Sequence, residues 1–187
     1  MVLIIFYIGM FIWLLPPIKQ YRGKLFLYFL VLALADPVSY TLVISLKTNV
    51  YQIYGIFTFA SVLAVSIHKI SKKNIIYLSI GFILTIIVII TQIRNIVYLY
   101  LAILHLVILW VFLKETLISF SKNNYLILGW AILILYEISV VLKLIIFLEI
   151  RQTSVIYYAL TTGFQILIAI FFTIYKVEES PKIKLSL

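Results

Sequence analysis

Apolar runs of about the length that crosses a lipid bilayer recur seven times along the chain. A helix needs roughly 20 apolar residues to span a hydrocarbon core about 30 Å thick. The runs occupy, to within a few residues at each end, residues 2–15, 25–46, 51–68, 75–90, 96–113, 125–147 and 154–175. Since 65% of the 187 residues are hydrophobic and only 11% are charged, a soluble domain of this size would leave much apolar surface in water. The sequence therefore predicts an all-α fold, a polytopic integral membrane protein whose seven transmembrane helices form one domain over residues 1–187.

The first run is the shortest, and Pro16 and Pro17 follow it directly. Proline inside a helix removes a backbone hydrogen bond and clashes with the preceding turn, so the helix is expected to end there. The run has neither the basic start nor the small-residue cleavage site of a signal peptide. We therefore expect residues 2–15 to be retained as a membrane span.

Basic residues are distributed unequally between the two sets of gaps that separate the runs. Cytoplasmic loops of membrane proteins carry the excess of Lys and Arg. One set of gaps, together with the C-terminal tail, holds Lys19, Arg22, Lys24, Lys69, Lys72, Lys73, Lys114, Lys122, Lys176, Lys182 and Lys184. The other set holds only Lys47, Arg94 and Arg151. We therefore expect the N-terminus outside and the C-terminus in the cytoplasm, and we interpret the net charge of +9 as a topology signal rather than a nucleic-acid surface.

Two carboxylates lie near the middle of predicted spans, where a charge is costly. Asp36 is the only aspartate in the chain, and Ser39 and Tyr40 share its helical face. Glu137 lies at the centre of the sixth run on an otherwise apolar face, so it needs a partner from another helix. Each acid is interpreted either as a proton or cation site or as a neutral, buried group that ties helices together. For Lys143 we expect a side chain that extends outward to the interface rather than toward Glu137.

Other polar side chains follow helical spacing on several of the same runs. They are Thr58 and Ser61 on the third run, His105 on the fifth, and Thr161, Thr162 and Gln165 on the seventh. We predict that the second, third, fifth, sixth and seventh spans converge on this polar core, while the first and fourth lie toward lipid. Hydrogen bonding between helices without any cavity is the alternative interpretation.

The residue inventory argues against an enzyme. There is no cysteine and only one aspartate, which excludes thiol chemistry and an aspartic-protease pair. His68 and His105 lie far apart in the sequence and at different predicted depths, so no metal site is expected. The chain has no glycine-rich phosphate loop, and the gaps are too short for a soluble domain. We expect no cofactor and no catalytic residues.

The segment Phe26–Tyr40, which ends in Ala-Asp-Pro-Val-Ser-Tyr, and the Tyr-Gln-Ile-Tyr that begins at Tyr51 resemble a group of membrane proteins. These are small uncharacterised seven-helix inner-membrane proteins of Bacteroidota. Because such proteins are often encoded near sensor kinases, the resemblance implies an association with signalling. It supplies no active site to carry over.

These observations favour a non-enzymatic sensing or accessory subunit of a bacterial inner membrane, which acts through a membrane-protein partner such as a sensor kinase. The cytoplasmic basic face toward that partner would comprise Lys19, Arg22, Lys24, Lys69, Lys72, Lys73, Lys114 and Lys122. The alternative is a small proton- or cation-coupled transporter that uses Asp36 and Glu137. A scaffold without a ligand is a third possibility. A transporter requires a hydrated path to both faces and discontinuous helices, whereas an accessory subunit requires a protein-facing surface.

Overall fold

Helices account for nearly all of the regular structure. The computed structural model describes residues 2–47, 49–67, 72–91, 93–149 and 155–184. The helices are α1 (Val2–Trp13), α2 (Pro16–Lys19), α3 (Phe26–Leu46), α4 (Val50–Ser66), α5 (Lys72–Thr91), α6 (Arg94–Asn123), α7 (Leu128–Glu149) and α8 (Val155–Ile174). A small antiparallel sheet pairs β1 (Tyr125–Ile127) with β2 (Lys182–Lys184).

Three of the described helices are long and apolar enough to cross a membrane. They are α3, α6 and α7, over Phe26–Leu46, Arg94–Lys122 and Leu128–Leu148. Shorter apolar helical stretches cover Ile4–Lys19, Gln52–Ser66, Ile75–Thr91 and Ala159–Ile174. The prediction of an all-helical chain is thus confirmed, and three of its described helices are long and apolar enough to span a membrane. The number of seven spans and their orientation stay predictions.

The prediction is wrong on both sides of Asn124. Helix α6 does not end near residue 113 but continues to Asn123, so Lys114 and Lys122 lie on a helix and not in a loop. Asn124 ends it with a left-handed φ of 53°, a conformation that asparagine tolerates. Tyr125–Ile127, predicted to begin the sixth span, form β1 instead. Hydropathy marks where a helix leaves an apolar environment, which need not be where its hydrogen bonding stops.

The break after α1 falls where the two prolines predict it. Helix α1 ends at Trp13, and Pro16 and Pro17 open the single turn of α2. Directly after that turn, Gln20 is only 2% exposed. Its Nε2 donates to the carbonyls of Phe172 (3.2 Å) and Tyr175 (2.8 Å), which belong to the end of α8 and the residue after it. The start of the bundle is therefore fixed to its end.

A second set of hydrogen bonds holds the C-terminal tail in place. We call the residues that form it the tail clasp: Gln20, Gly129, Val177 and Ser180. The Val177 N–H donates to Gln20 Oε1 (3.3 Å), and the Gly129 N–H donates to Ser180 Oγ (2.7 Å). Ser180 Oγ in turn donates to the Val177 carbonyl (2.8 Å). The tail thereby lies against the first turn of α7 and pairs as β2 with β1.

The end of the bundle near the tail clasp is tightly packed, and we call it the closed end. Here α3 and α7 begin while α6 and α8 approach their ends. Tyr28, Phe29, Phe112 and Phe172 are fully buried, and the Phe29 and Phe172 ring centroids lie 4.9 Å apart. The opposite end, where α4, α6 and α8 begin, is called the open end.

Gly129 is expected to tolerate no side chain. A Cβ at this position would lie 2.6 Å from the Val177 carbonyl oxygen and 2.8 Å from Ser180 Oγ. We predict that Gly129→Ala lowers the free energy of unfolding by about 1–3 kcal/mol, as overpacking does, or displaces the tail. Denaturant unfolding of the purified protein in detergent measures this. Gly163→Ala is the control, because a Cβ there meets nothing within 4 Å. Equal stability of the two variants would contradict the clasp.

Candidate functional site

A cavity of about 420 Å³ lies between six of the helices. Polar side chains line it from α3, α4, α6, α7 and α8: Asp36, Tyr54, Thr58, Ser61, Arg94, Tyr98, His105, Tyr136, Lys143, Thr162 and Gln165. Helix α1 adds Phe6, Gly9 and Trp13. The volume is in the range of small-molecule sites, roughly 300–1,000 Å³. The cavity is therefore the candidate functional site.

Helical periodicity explains how one face of α6 lines the whole depth of the cavity. Arg94, Tyr98, Leu101 and His105 follow one another at i, i+4, i+7 and i+11, which places them on one stripe. At 1.5 Å per residue, Arg94 and His105 are separated by about 16 Å along the axis. Arg94 is exposed and His105 is buried. The mouth of the cavity therefore lies at the open end, and its floor lies near His105.

Behind the floor, Glu137 is held by side chains of two other helices. Its carboxylate is completely buried, with 0% exposure. The Tyr28 hydroxyl on α3 donates to Oε1, and His105 Nδ1 on α6 lies 2.7 Å from Oε2. We call these three residues the Glu137 cluster. The sequence-based requirement for a partner from another helix is met twice, by a hydrogen bond and by a pair that becomes ionic when the imidazole is protonated.

Asp36 lies in a separate polar group that lines the cavity. It accepts a hydrogen bond of 2.5 Å from the Tyr54 hydroxyl of α4 and interacts electrostatically with Lys143 of α7. The expectation that Lys143 extends outward to the interface is wrong, since its side chain lines the cavity. A carboxylate of opposite charge within the bundle offers the ammonium a partner that the surrounding apolar phase lacks. The two predicted carboxylates therefore belong to different groups.

Most of the predicted polar core is brought together. Thr58, Ser61, His105, Thr162, Gln165 and Asp36 line the cavity, and Glu137 lies directly behind it. Two predicted members do not line it. Tyr40 is exposed and bonds to the Tyr7 hydroxyl at 2.8 Å, and Thr161 Oγ1 donates to the Tyr157 carbonyl within α8 at 2.9 Å.

The peripheral placement predicted for the first and fourth spans is correct only for the fourth. Large apolar side chains of α5 are exposed along its length, including Ile75, Ile83 and Ile90, and none of its described side chains lines the cavity. Helix α1 instead packs against α8. A Cβ on Gly9 would make ordinary van der Waals contact with Thr162 Cγ2 at 3.7 Å, so the two helices lie against each other here.

The predicted basic face divides between described and undescribed residues. Lys19, Arg22, Lys24, Lys114 and Lys122 are exposed. All five lie at the closed end or on the part of α6 after residue 113, which we call the α6 extension. Lys69 lies outside the described residues, as does His68, and Lys72 and Lys73 begin α5.

Three residues of the cavity and the Glu137 cluster were not singled out from the sequence as site residues: Tyr28, Arg94 and Trp13. Tyr28 bonds to Glu137 and is one of 14 tyrosines, a residue type that is common at membrane interfaces. A signal existed for Tyr28, because Tyr28, Leu32 and Asp36 share one face of α3 at i, i+4 and i+8. Arg94 and Trp13 gave no such signal, since each lies at the end of an apolar run.

Comparison with known protein families, curated proteins and solved structures found no match for this chain. The resemblance to the Bacteroidota inner-membrane proteins therefore remains a sequence-based hypothesis. Within the described part of the chain, no group of three His, Cys, Asp or Glu side chains is arranged to hold a metal ion. The assignment of function rests on the cavity alone.

We predict that Glu137→Ala lowers the free energy of unfolding by about 1–3 kcal/mol for each buried partner that it leaves unpaired, Tyr28 and His105. Glu137→Gln is expected to retain most of the stability, because the amide both accepts and donates hydrogen bonds and His105 can switch its tautomer. Denaturant titration in detergent compares the two variants with Glu179→Ala. That control removes an exposed carboxylate 3.6 Å from Lys176, for which the expected loss is below about 1 kcal/mol.

A different ranking would change the interpretation of the Glu137 cluster. If Glu137→Gln is as unstable as Glu137→Ala, the carboxylate is ionised and its charge, not its hydrogen-bonding capacity, holds the three helices. If neither variant loses stability, the cluster does not hold the bundle together.

Proposed function

We propose that this chain is a non-enzymatic, seven-helix sensing subunit of a bacterial inner membrane. In this proposal its cavity binds a small molecule, and a partner membrane protein reads the outcome. The observation that carries the proposal is the position of the cavity, which extends from exposed Arg94 at the open end to buried His105, with the Glu137 cluster between it and the packed closed end. A chamber that opens at one end of a bundle is suited to binding rather than to passage.

The charge distribution supports an orientation in which the cavity faces outward. Lys19, Arg22, Lys24, Lys114 and Lys122 lie at the closed end or beyond it, and an excess of basic residues is typical of the cytoplasmic side. The open end then faces the outside, where a ligand arrives without crossing the membrane. The N-terminus lies outside and the C-terminus in the cytoplasm.

The Glu137 cluster offers a route from ligand to partner. Its residues belong to α3, α6 and α7, the three helices in the described part of the chain that are long and apolar enough to span a membrane. A ligand that bonds to His105 at the floor of the cavity alters the hydrogen bond to Glu137 and so favours one packing of these helices over another. Helix α6 continues for about 27 Å beyond His105, to Asn123. This extension presents the altered packing at the cytoplasmic side.

A proton- or cation-coupled transporter is the second candidate. Asp36 and Lys143 in the cavity and Glu137 behind it are ionisable groups of the kind that proton pathways use. Two features favour the sensing proposal instead. Helices α6 and α7 contain no internal proline, whereas transporters bind ions at broken helices, and buried aromatic rings close the bundle below the Glu137 cluster. Helix α3 continues through Pro37 to Leu46.

The orientation predicts the activity of reporter fusions. Green fluorescent protein fused after Leu187 is expected to fluoresce, and alkaline phosphatase at the same position is expected to be inactive, because the basic closed end stays in the cytoplasm. The reverse pattern is expected for reporters inserted after Lys47, at the open end. Active phosphatase after Leu187 would invert the topology and place the cavity mouth in the cytoplasm.

The proposed contact with a partner protein predicts crosslinking at a defined position. A photocrosslinking amino acid at Leu117, which is exposed on the α6 extension, is expected to capture one reproducible membrane protein in native membranes. The same amino acid at Leu46, exposed at the open end, is the control. Equal or absent capture at both positions would remove the support for a sensing subunit. Proton-coupled uptake by liposomes containing the wild-type protein, abolished by Asp36→Asn, would establish the transporter instead.

A further inference from the structure

We propose that the cavity binds a medium-chain carboxylate with a hydroxyl group at its far end, such as a ten-carbon ω-hydroxy acid. The carboxylate lies at Arg94 and the hydroxyl lies near Thr162 and His105. This inference rests on the proposed sensing function and specifies its ligand. It is carried by three observations: a cation at the mouth, unpaired hydrogen-bonding groups deep in the cavity, and apolar walls between them.

At the mouth, Arg94 is a cation, and none of the acidic side chains that the structure describes pairs with it. Its guanidinium lies over the Tyr98 ring, 5.4 Å from the centroid. Asp36, the one acid among the described lining residues, is already engaged by Tyr54 and Lys143. Arg94 is also the first residue of α6, where the helix dipole and the unpaired backbone N–H groups favour an anion. A carboxylate from outside the chain would pair with the Arg94 guanidinium and would also be stabilised by the N-terminus of α6.

Deeper in the cavity, two polar atoms, Thr162 Oγ1 and His105 Nε2, have no hydrogen-bond partner among the described residues. Thr162 is 9% exposed, and its Oγ1 has no hydrogen-bond partner among the described residues. His105 uses Nδ1 for Glu137, and no described residue bonds to its Nε2. Buried polar groups are nearly always hydrogen-bonded. A hydroxyl suits this part of the cavity, because it both donates and accepts: it accepts from Thr162 or bonds to Nε2 of His105.

The walls between these two ends are largely aromatic and aliphatic. Phe6, Trp13, Phe57, Leu101 and Phe147 are among the lining residues. The stripe from Arg94 to His105 is about 16 Å long, and an extended ω-hydroxy acid of about ten carbons measures roughly 14 Å from its carbon–carbon bond lengths. Its methylene chain fits the apolar section, and each of its polar ends reaches one of the polar groups.

The test uses three probes that differ only at their ends: 10-hydroxydecanoate, decanoate and 1,10-decanediol. Purified protein in lipid nanodiscs binds tritiated 10-hydroxydecanoate in a scintillation proximity assay, and the other two compete. We expect each competitor, which lacks one polar end, to bind at least about tenfold more weakly than 10-hydroxydecanoate, as the loss of one good hydrogen bond implies.

Two variants assign each end of the probe. Arg94→Gln is expected to weaken binding of the two carboxylates about tenfold and to leave the diol unchanged. Thr162→Val is expected to weaken binding of the two hydroxyl-bearing probes and to leave decanoate unchanged. Lys114→Gln, on the α6 extension, and Thr173→Val, whose hydroxyl bonds to the Ala169 carbonyl, are matched controls outside the cavity and should not change binding. Arg94→Lys, which keeps the charge, should retain part of the affinity.

Equal competition by all three probes, or full affinity in Arg94→Gln and Thr162→Val, would overturn the ligand assignment. The crosslinking experiment at Leu117 separates this failure from a failure of the sensing function. Absent binding with intact crosslinking rejects this ligand class alone. Specific binding without a crosslinked partner rejects the sensing subunit and keeps the site.

Discussion

The carboxylate of Glu137 is completely buried, and the two groups that bond to it belong to two other helices. A carboxylate removed from water is tolerated only when its oxygens are satisfied, so α3, α6 and α7 must present Tyr28, His105 and Glu137 at one depth. This requirement fixes the rotation and the axial position of all three helices. Apolar packing specifies the rotation and axial position of such helices less strictly, because apolar contacts are not directional.

The same constraint divides the bundle into two unlike halves. Below the cluster, Phe112 and Phe172 and the tail clasp at Gln20 fill the closed end with rings and backbone bonds. Above it, Asp36, Lys143 and Arg94 leave a chamber that apolar contacts do not fill. The chamber combines these polar side chains with aromatic rings such as Trp13 and Phe147, whereas packed rings fill the closed end. The position of the cavity thus follows from where the chain places its polar residues.

The sequence predicts the helices better than it predicts their ends. Apolar runs identify each long helix because a buried or lipid-facing helix must cover its backbone with apolar side chains. They place the end of α6 near residue 113, yet the helix continues to Asn123, because helical hydrogen bonding can persist after the hydropathy falls. The pairing of Tyr125–Ile127 with Lys182–Lys184 joins segments far apart in the sequence, and no local pattern indicates which tail strand β1 will meet.

In the candidate site, the sequence likewise identifies polar residues but not the contacts between their side chains. Asp36, His105 and Glu137 were identifiable because an ionisable group in an apolar run needs an explanation wherever its partner lies. Which partner it takes depends on helix rotation, so neither the bond from Tyr28 to Glu137 nor the approach of Lys143 to Asp36 followed from spacing. Lys143 illustrates the physical reason. One side chain of this length can reach either the interface or the bundle interior, and only the position of Asp36 on another helix decides between them. Tyr54 and Lys143 both interact with Asp36, whereas no described acidic side chain pairs with Arg94, so in the proposed site Arg94 is the cation that meets a ligand.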